Sequence, residues 1–236
     1  MTVLRIPGVA NVRDVGGIPV AGGRIRDGVL LRSGHLAQAT AEGGEMLRAR
    51  VRRIVDLRDD AEVRQEPCAV EGIEVTRIPL FLGSIASFFQ DDVSLDGLYR
   101  HLVDDAAERL VEVARIVSMG EPTLVHCTIG KDRTGVSVAL ALSAVGADRE
   151  AVIADYALTA SQLPPERTRM VTAWLRSAHP EAVHAVALAT ESPAEVMRGL
   201  LDGIDAAHGS AAEYLRASGL AAAELDALRE VLVERG

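Results

Sequence analysis

At 236 residues the chain is long enough for one domain with a substantial core, and its 48% hydrophobic content excludes a disordered polymer. A net charge of −9 argues against non-specific nucleic-acid binding, which requires many phosphates to be neutralised at once, so no nucleic-acid partner is expected. No apolar run approaches the roughly 18 residues of an integral membrane segment, and Met1 to Gly8 lack a secretory leader. The expectation is a soluble, cytoplasmic chain, with export by a route that reads no such leader left open.

In chain order, Val3 to Ile6 and Val29 to Leu31 are short apolar pieces among Gly-rich turns, which predicts two or three short strands. Asn11 to Gly17 is rich in turn formers, and fold anchoring and substrate contact are both open to it. Arg32 suits either a second anionic group or a salt bridge, the latter preferred. Thr40 caps a helix to about Arg50 with Met46, Leu47 and Val51 inward, and Arg53 to Leu57 reads as a buried strand. Asp56 and Arg58 follow at its end, with Asp56 read as structural. Val75 to Ile78 is a strand closed by Pro79, and the loop Leu80 to Asp96 holds Phe81, Phe88 and Phe89, either an apolar flap or core packing. Helices are predicted over 95–102 and 106–119. Thr123 to Val125 suits a buried central strand and Val136 to Val145 a buried helix. Asp148 caps a helix carrying Val152, Ile153 and Tyr156. From Ser161 the pattern is helical, broken at Pro164-Pro165 and His179-Pro180. Ser192-Pro193-Ala194-Glu195 reads as a capping box, and Leu225, Leu228 and Leu232 as the face of a final helix. The fold class is therefore α/β, a small twisted, partly parallel sheet flanked by helices.

The chemistry concentrates in His126-Cys127-Thr128-Ile129-Gly130-Lys131-Asp132-Arg133-Thr134-Gly135, a loop between strand and helix. Such a loop aims backbone N–H groups and the positive end of the helix dipole at one point, which suits a phosphate and favours a thiolate. Cys127 is placed as an in-line nucleophile for phosphorus, and Arg133, six positions on, can hold two phosphoryl oxygens. Thr128, Ile129, Gly130 and Lys131 form the anion-binding rim, Thr134 can donate to the sulfur, and His126 supports the loop. Of 25 basic residues only Lys131 is a lysine, which points to a narrow site that needs a compact ammonium. The other five histidines show no ligand spacing, so neither metal nor cofactor is implied. Cys68 reads as an ordinary thiol, and a reversible disulfide to Cys127 is left open.

The His-Cys-x5-Arg-Thr pattern resembles the signature of the cysteine-dependent protein tyrosine phosphatases. Its fuller form, Cys-x-x-Gly-Lys-Asp-Arg-Thr-Gly, is similar to the bacterial, mycobacterial-type PtpB-like branch. Asn11 to Gly17, Leu31 to Leu36, Asp56 to Arg58 and Glu213 to Leu220 carry the likeness elsewhere. The resemblance implies one tyrosine-phosphatase-fold domain over 1–236, with helices in 161–190 acting as a lid; a bundle packed on the sheet fits the same pattern. It also implies hydrolysis of phosphoric monoesters through a cysteinyl phosphate, the partner being a phosphorylated protein or a phosphoinositide. The alternative is a catalytically weak module that binds phosphorylated ligands on the same fold. The general acid is assigned to Asp132, since the chain has no Trp-Pro-Asp and reads Leu80-Phe81-Leu82-Gly83 where PtpB-like relatives carry an aspartate. Asp91, Asp92 and Asp96 stand as alternatives, and a purely loop-stiffening Asp132 as the plain reading.

Overall fold

The computed structural model describes residues 1–80 and 91–236. Phe81, Phe88 and Phe89 lie outside the described residues. The chain opens with β1 (Thr2–Val3), β2 (Arg13–Asp14), β3 (Pro19–Val20), β4 (Gly23–Ile25) and β5 (Leu30–Ser33), more and shorter strands than the composition of this region implied. Then follow α1 (Ala41–Arg48), β6 (Arg53–Asp56), α2 (Asp60–Gln65), β7 (Glu74–Arg77), α3 (Leu95–Asp105), α4 (Ala107–Val117), β8 (Thr123–His126) and α5 (Asp132–Ala144). The rest is helical, with α6 (Arg149–Ala157), α7 (Thr159–Gln162), α8 (Pro165–Ala178), α9 (Ala185–Thr190), α10 (Ala194–His208), α11 (Ala211–Ala217) and α12 (Ala222–Leu232), until β9 (Val233–Arg235).

The main sheet runs β1-β2-β5-β8-β6-β7, antiparallel at the β1 and β2 edge and parallel from β5 onward. Alternation along the strands sends neighbours to opposite faces. Leu31, Leu124 and Ile54, which share one register line, pack with Leu36, Leu47 and Val51 on one side. Leu30, Val125 and Val55 join the larger core on the other, against α3 to α6 and α10 to α12. Both faces are covered, which is why the middles of the three inner parallel strands β5, β8 and β6 read as apolar runs. Helix α5 lies within that larger core and is buried along nearly its whole length. Thr40 caps α1 by accepting from Gly43 N, as expected, worth about 1 kcal/mol. The expected capping box at Ser192 does not form. Its hydroxyl instead donates to Ala157 O at 2.9 Å and accepts from Ala160 N at 2.9 Å, tying the start of α10 to the end of α6 and to α7. Strand β9 pairs with β4 in a second sheet of three short strands. Among the described residues no helix is long and apolar enough to cross a membrane.

Helices α8 and α9 share a small cluster of their own, Leu175, Ala185 and Ala189 with Val171, Ala182 and Val186, while Leu188 of α9 joins the larger core. Met170 and Trp174 on α8 are exposed.

The N-terminal strands are joined to the helical half by charge. Arg13 Nε and Arg32 Nη1 donate to the two oxygens of Asp155 on α6, at 2.7 and 2.6 Å, with all three side chains buried. Arg13 Nη2 also reaches Asp155 O at 2.8 Å and Thr159 Oγ1 at 2.9 Å. Burial acts to raise the Asp155 carboxyl, but the two guanidiniums outweigh it and hold it below the usual carboxylate range. Asp155→Asn leaves two buried guanidiniums without a counter-charge, so urea denaturation should show a loss of about 3–5 kcal/mol at pH 7. Because the folded-state carboxyl is depressed, its contribution is present above the unfolded pKa and lost as pH falls through the folded one, so the gap between wild type and variant should shrink in acid.

Candidate active site

Strand β8 ends at His126 in register with Ser33 of β5 and Asp56 of β6. The segments leaving these three strands therefore meet at the carboxyl edge of the sheet, where open α/β sheets hold ligands. Cys127 is the next residue, 2% exposed, and Asp132 opens α5.

Four consecutive carbonyls of the connecting loop are anchored from outside. Cys127 O lies 3.1 Å from His126 Nδ1, and because a carbonyl only accepts, that nitrogen carries the proton. Thr128 O accepts from His35 N at 3.0 Å and Ile129 O from Asn11 Nδ2 at 3.0 Å. Gly130 O accepts from Asn11 Nδ2 at 3.1 Å and from Arg32 Nη2 at 2.8 Å. In a trans peptide the N–H points opposite the C=O, so the N–H groups of Thr128, Ile129, Gly130 and Lys131 are each turned away from an anchor. None of them donates to another backbone group among the described residues. This is the backbone geometry of a nest, at the N-terminus of a 13-residue helix, and it suits an anion. Gly130 is required here: its φ is +71°, and a Cβ would sit 2.3 Å from Ser33 O. Asn11 likewise takes φ 59°, which asparagine tolerates, and its side-chain oxygen accepts from Arg13. Asn11 and Arg32 thus serve as anchors of the loop; Arg32 makes the salt bridge preferred from sequence.

Arg133 meets a residue that the sequence did not single out. Its Nη1 and Nη2 donate to Glu62 Oε2 and Oε1 at 2.6 and 2.7 Å, a bidentate fork. Weaker bonds run to Leu57 O at 3.3 Å and Thr128 Oγ1 at 3.1 Å, and the Thr128 hydroxyl in turn donates to Glu62. Burial favours a higher Glu62 pKa, yet the Arg133 hydrogen bonds and charge, aided by Thr128 and Asp59, hold it below the usual range. Burial opposes the Arg133 charge, but Glu62, Cys127 and Asp132 together raise its pKa, so it stays cationic. Glu62 completes a capping box with Asp59 at the start of α2. The Asp59-x-x-Glu62 spacing was the available signal for it.

Lys131, fully buried, donates from its ammonium to Leu188 O at 2.9 Å and Glu191 O at 2.8 Å and is ion-paired with Asp132 Oδ1 at 3.0 Å. Expected to line the phosphate rim, it contributes its backbone N–H to the nest, whereas its ammonium clasps the end of α9. Thr134 Oγ1 is buried with no hydrogen-bond partner among the described residues, so the expected bond to the sulfur is not made. Asp56 holds Arg58 through Nε at 3.0 Å and Nη2 at 2.8 Å and lies 3.8 Å from His126 Nε2, a structural role as read from sequence. Burial pushes His126 down against that nearby carboxylate, so its ring is neutral. Among the alternative acids, Asp92 is occupied in accepting from Val183 N and His184 N at 2.9 and 2.7 Å. Asp96 opens α3, and Asp91 is exposed. Cys68 is a free, half-buried thiol bonded to Val70 O at 3.6 Å, and burial pushes it up. Beside the loop a cavity of about 350 Å³ is lined by Gly34, His35, Thr128, Ile129, Arg167 and Met170, among others.

Residues 4–234 match the model of a family described as the tyrosine phosphatase family. The triple specificity protein phosphatase PtpB of Mycobacterium tuberculosis is 30% identical over 278 residues, covering 99% of this chain and all of the relative. A Cupriavidus necator protein named for the tyrosine-protein phosphatases is 32% identical over 227 residues, covering 88% of this chain and 81% of its own length. The crystal structure of P. aeruginosa TpbA aligns with a TM-score of 0.38 at 22% identity, over 79% of this chain and 99% of that one. The match to the family model and to the mycobacterial relative, each running nearly end to end, places this chain in the tyrosine phosphatase family, as an enzyme of the phosphoric monoester hydrolase type.

Proposed function

We propose that the chain cleaves phosphoric monoesters in two in-line steps at Cys127. The observation that carries this reading is the set of four N–H groups, from Thr128 to Lys131, turned away from four anchored carbonyls on the loop that joins Cys127 to Arg133. Three non-bridging phosphoryl oxygens fit those donors. The Arg133 guanidinium takes two of them as charge spreads in the transition state through the side edge that Glu62 does not occupy, while Glu62 keeps its plane fixed. In the first step the Cys127 sulfur attacks phosphorus, the bridging P–O bond breaks, and Asp132 gives its proton to the departing oxygen. In the second, Asp132 takes a proton from water as that water attacks phosphorus, the S–P bond breaks, and phosphate leaves.

Phosphotyrosine is the proposed substrate class, with phosphoserine, phosphothreonine and phosphoinositides added by likeness to the PtpB-like branch. The cavity beside Thr128 and Ile129 supplies space for groups attached to the phosphate. The residues of 161–190 are proposed to act as a lid within a single domain. The apolar cluster that α8 and α9 share supports movement of the pair as a unit, with Leu188 in the larger core and the Lys131 clasp on Leu188 O and Glu191 O as contacts that must break for it to lift.

Cys127→Ser should abolish turnover of p-nitrophenyl phosphate while vanadate still binds, whereas Arg133→Ala should weaken both; appreciable turnover by the serine variant would sink covalent catalysis. Asp132→Asn should reduce kcat/KM on phenyl phosphate, whose leaving group needs a proton, by about 100-fold or more, and far less on p-nitrophenyl phosphate. Lys131→Met should raise amide hydrogen exchange in 185–190, and vanadate should restore less of the protection than in the wild type. Unchanged exchange in that segment would refute the clasp.

A further inference from the structure

The Asp132 carboxylate is held on one side only. Its Oδ1 lies 2.9 Å from Tyr99 Oη and 3.0 Å from Lys131 Nζ, while Oδ2 has no hydrogen-bond partner among the described residues. Tyr99 Oη is in turn 2.7 Å from Tyr156 Oη. Each phenol has one proton and a carboxylate can only accept, so the direction of the chain follows: Tyr156 donates to Tyr99, and Tyr99 donates to Asp132.

This chain is rigid and dry. Tyr99 and Tyr156 are 1% and 0% exposed and meet edge to face, ring centroids 5.9 Å apart at 81°, which locks the line between the hydroxyls. Room for the second ring exists because residue 135 is glycine: a Cβ there would stand 3.0 Å from Tyr156 Cδ2. Burial, followed by the nearby Asp132 charge, pushes the Tyr99 hydroxyl well above its ordinary pKa, and Tyr156 moves the same way for the same reasons. Both phenols therefore remain donors throughout the neutral range. The Asp132 side chain, at 16% exposed, is the only member of the set that reaches toward solvent.

A free carboxyl can rotate and carry its proton on either oxygen, and a proton on the wrong one cannot reach the leaving group. We propose that Tyr99, backed by Tyr156, is a positioning residue for the phosphatase reaction, occupying Oδ1 of Asp132 so that the transferable proton is carried on the open Oδ2. The proposal rests on the reading of Asp132 as the acid and base. The proton then passes from Oδ2 to the bridging oxygen as the P–O bond breaks, and returns to Oδ2 from the water that cleaves the S–P bond. Lys131 holds the same oxygen but also holds α9, whereas Tyr99 and Tyr156 are anchored in the main core and keep Oδ1 occupied whatever α9 does.

The test compares leaving groups. Tyr99→Phe should lower kcat/KM on phenyl phosphate by about tenfold and on p-nitrophenyl phosphate by less than about threefold, with vanadate affinity unchanged. Tyr156→Phe should move both in the same direction by less. The double variant should be no worse than Tyr99→Phe alone, because Tyr156 acts only through Tyr99. Equal losses on the two substrates, or losses that add in the double variant, would overturn the proposal. Melting curves accompany each variant; where Tyr99→Phe does not fold, the leaving-group ratio of Tyr156→Phe decides, an unchanged ratio counting against the role. Asp132→Asn is run beside them. A leaving-group-blind Asp132→Asn removes the acid assignment and this proposal with it, whereas a sensitive Asp132→Asn beside a blind Tyr99→Phe removes this proposal alone.

Discussion

The site depends on one buried carboxylate. Asp155 holds Arg13 and Arg32, and Arg32 carries that restraint onward to Gly130 O, while Arg13 steadies the side chain of Asn11, which grips Ile129 O and Gly130 O. A loop that must present bare N–H groups to an anion has no internal hydrogen bonds to keep its shape, so its carbonyls must be held from outside. Desolvating three charges for this purpose is costly, and a hydrophobic triad could be as stable. What the ionic version supplies is direction: guanidinium donors aimed at particular carbonyls, which apolar packing cannot provide.

Helix α6 supports two halves of the site with neighbouring residues. Asp155 restrains the loop through the N-terminal strands, and Tyr156 reaches Asp132 through Tyr99. The N-terminal strands, α3, α6 and the loop are thereby tied together by a few buried polar groups set in a largely apolar core. Such networks are worth most when every member is satisfied. Among the described residues the buried side-chain atoms left without a hydrogen-bond partner are Thr134 Oγ1, Arg32 Nε and His126 Nε2, which belong to residues at or next to the loop.

Electrostatics in this protein are local. A net charge of −9 repels anions at long range, yet the loop gathers Arg133 and Lys131 with the end of a helix dipole in a site of low exposure. Arg133 is paired with Glu62 at 2.6 Å, and Lys131 Nζ lies 3.0 Å from Asp132 Oδ1. The exposed ion pairs elsewhere, such as Arg198 with Glu150 and Arg149 with Asp202, contribute little to stability and nothing to the site.

By itself the sequence determined the features whose causes are local. The strand, loop and helix around Cys127 follow from apolar runs on either side of a glycine-bearing turn, and the six-residue step from Cys127 to Arg133 brings thiol and guanidinium to one loop without help from the rest of the chain. The Thr40 and Asp148 caps were legible for the same reason, since a cap acts over three residues. Tertiary structure decided which partner each charged group takes. Arg13 and Arg32 lie 142 and 123 positions from Asp155, Arg133 lies 71 from Glu62, and Lys131 lies 57 from Leu188. With 34 acids in the chain no spacing rule selects Asp155 or Glu62, and no side-chain pattern marks the carbonyls that accept from Lys131. Ser192 shows the same limit in reverse, a sound local capping signal overridden by the nearness of Ala157 and Ala160. Local rules state what a residue can bond to; only packing, by bringing distant segments within about 3 Å, settles which of its possible partners it meets.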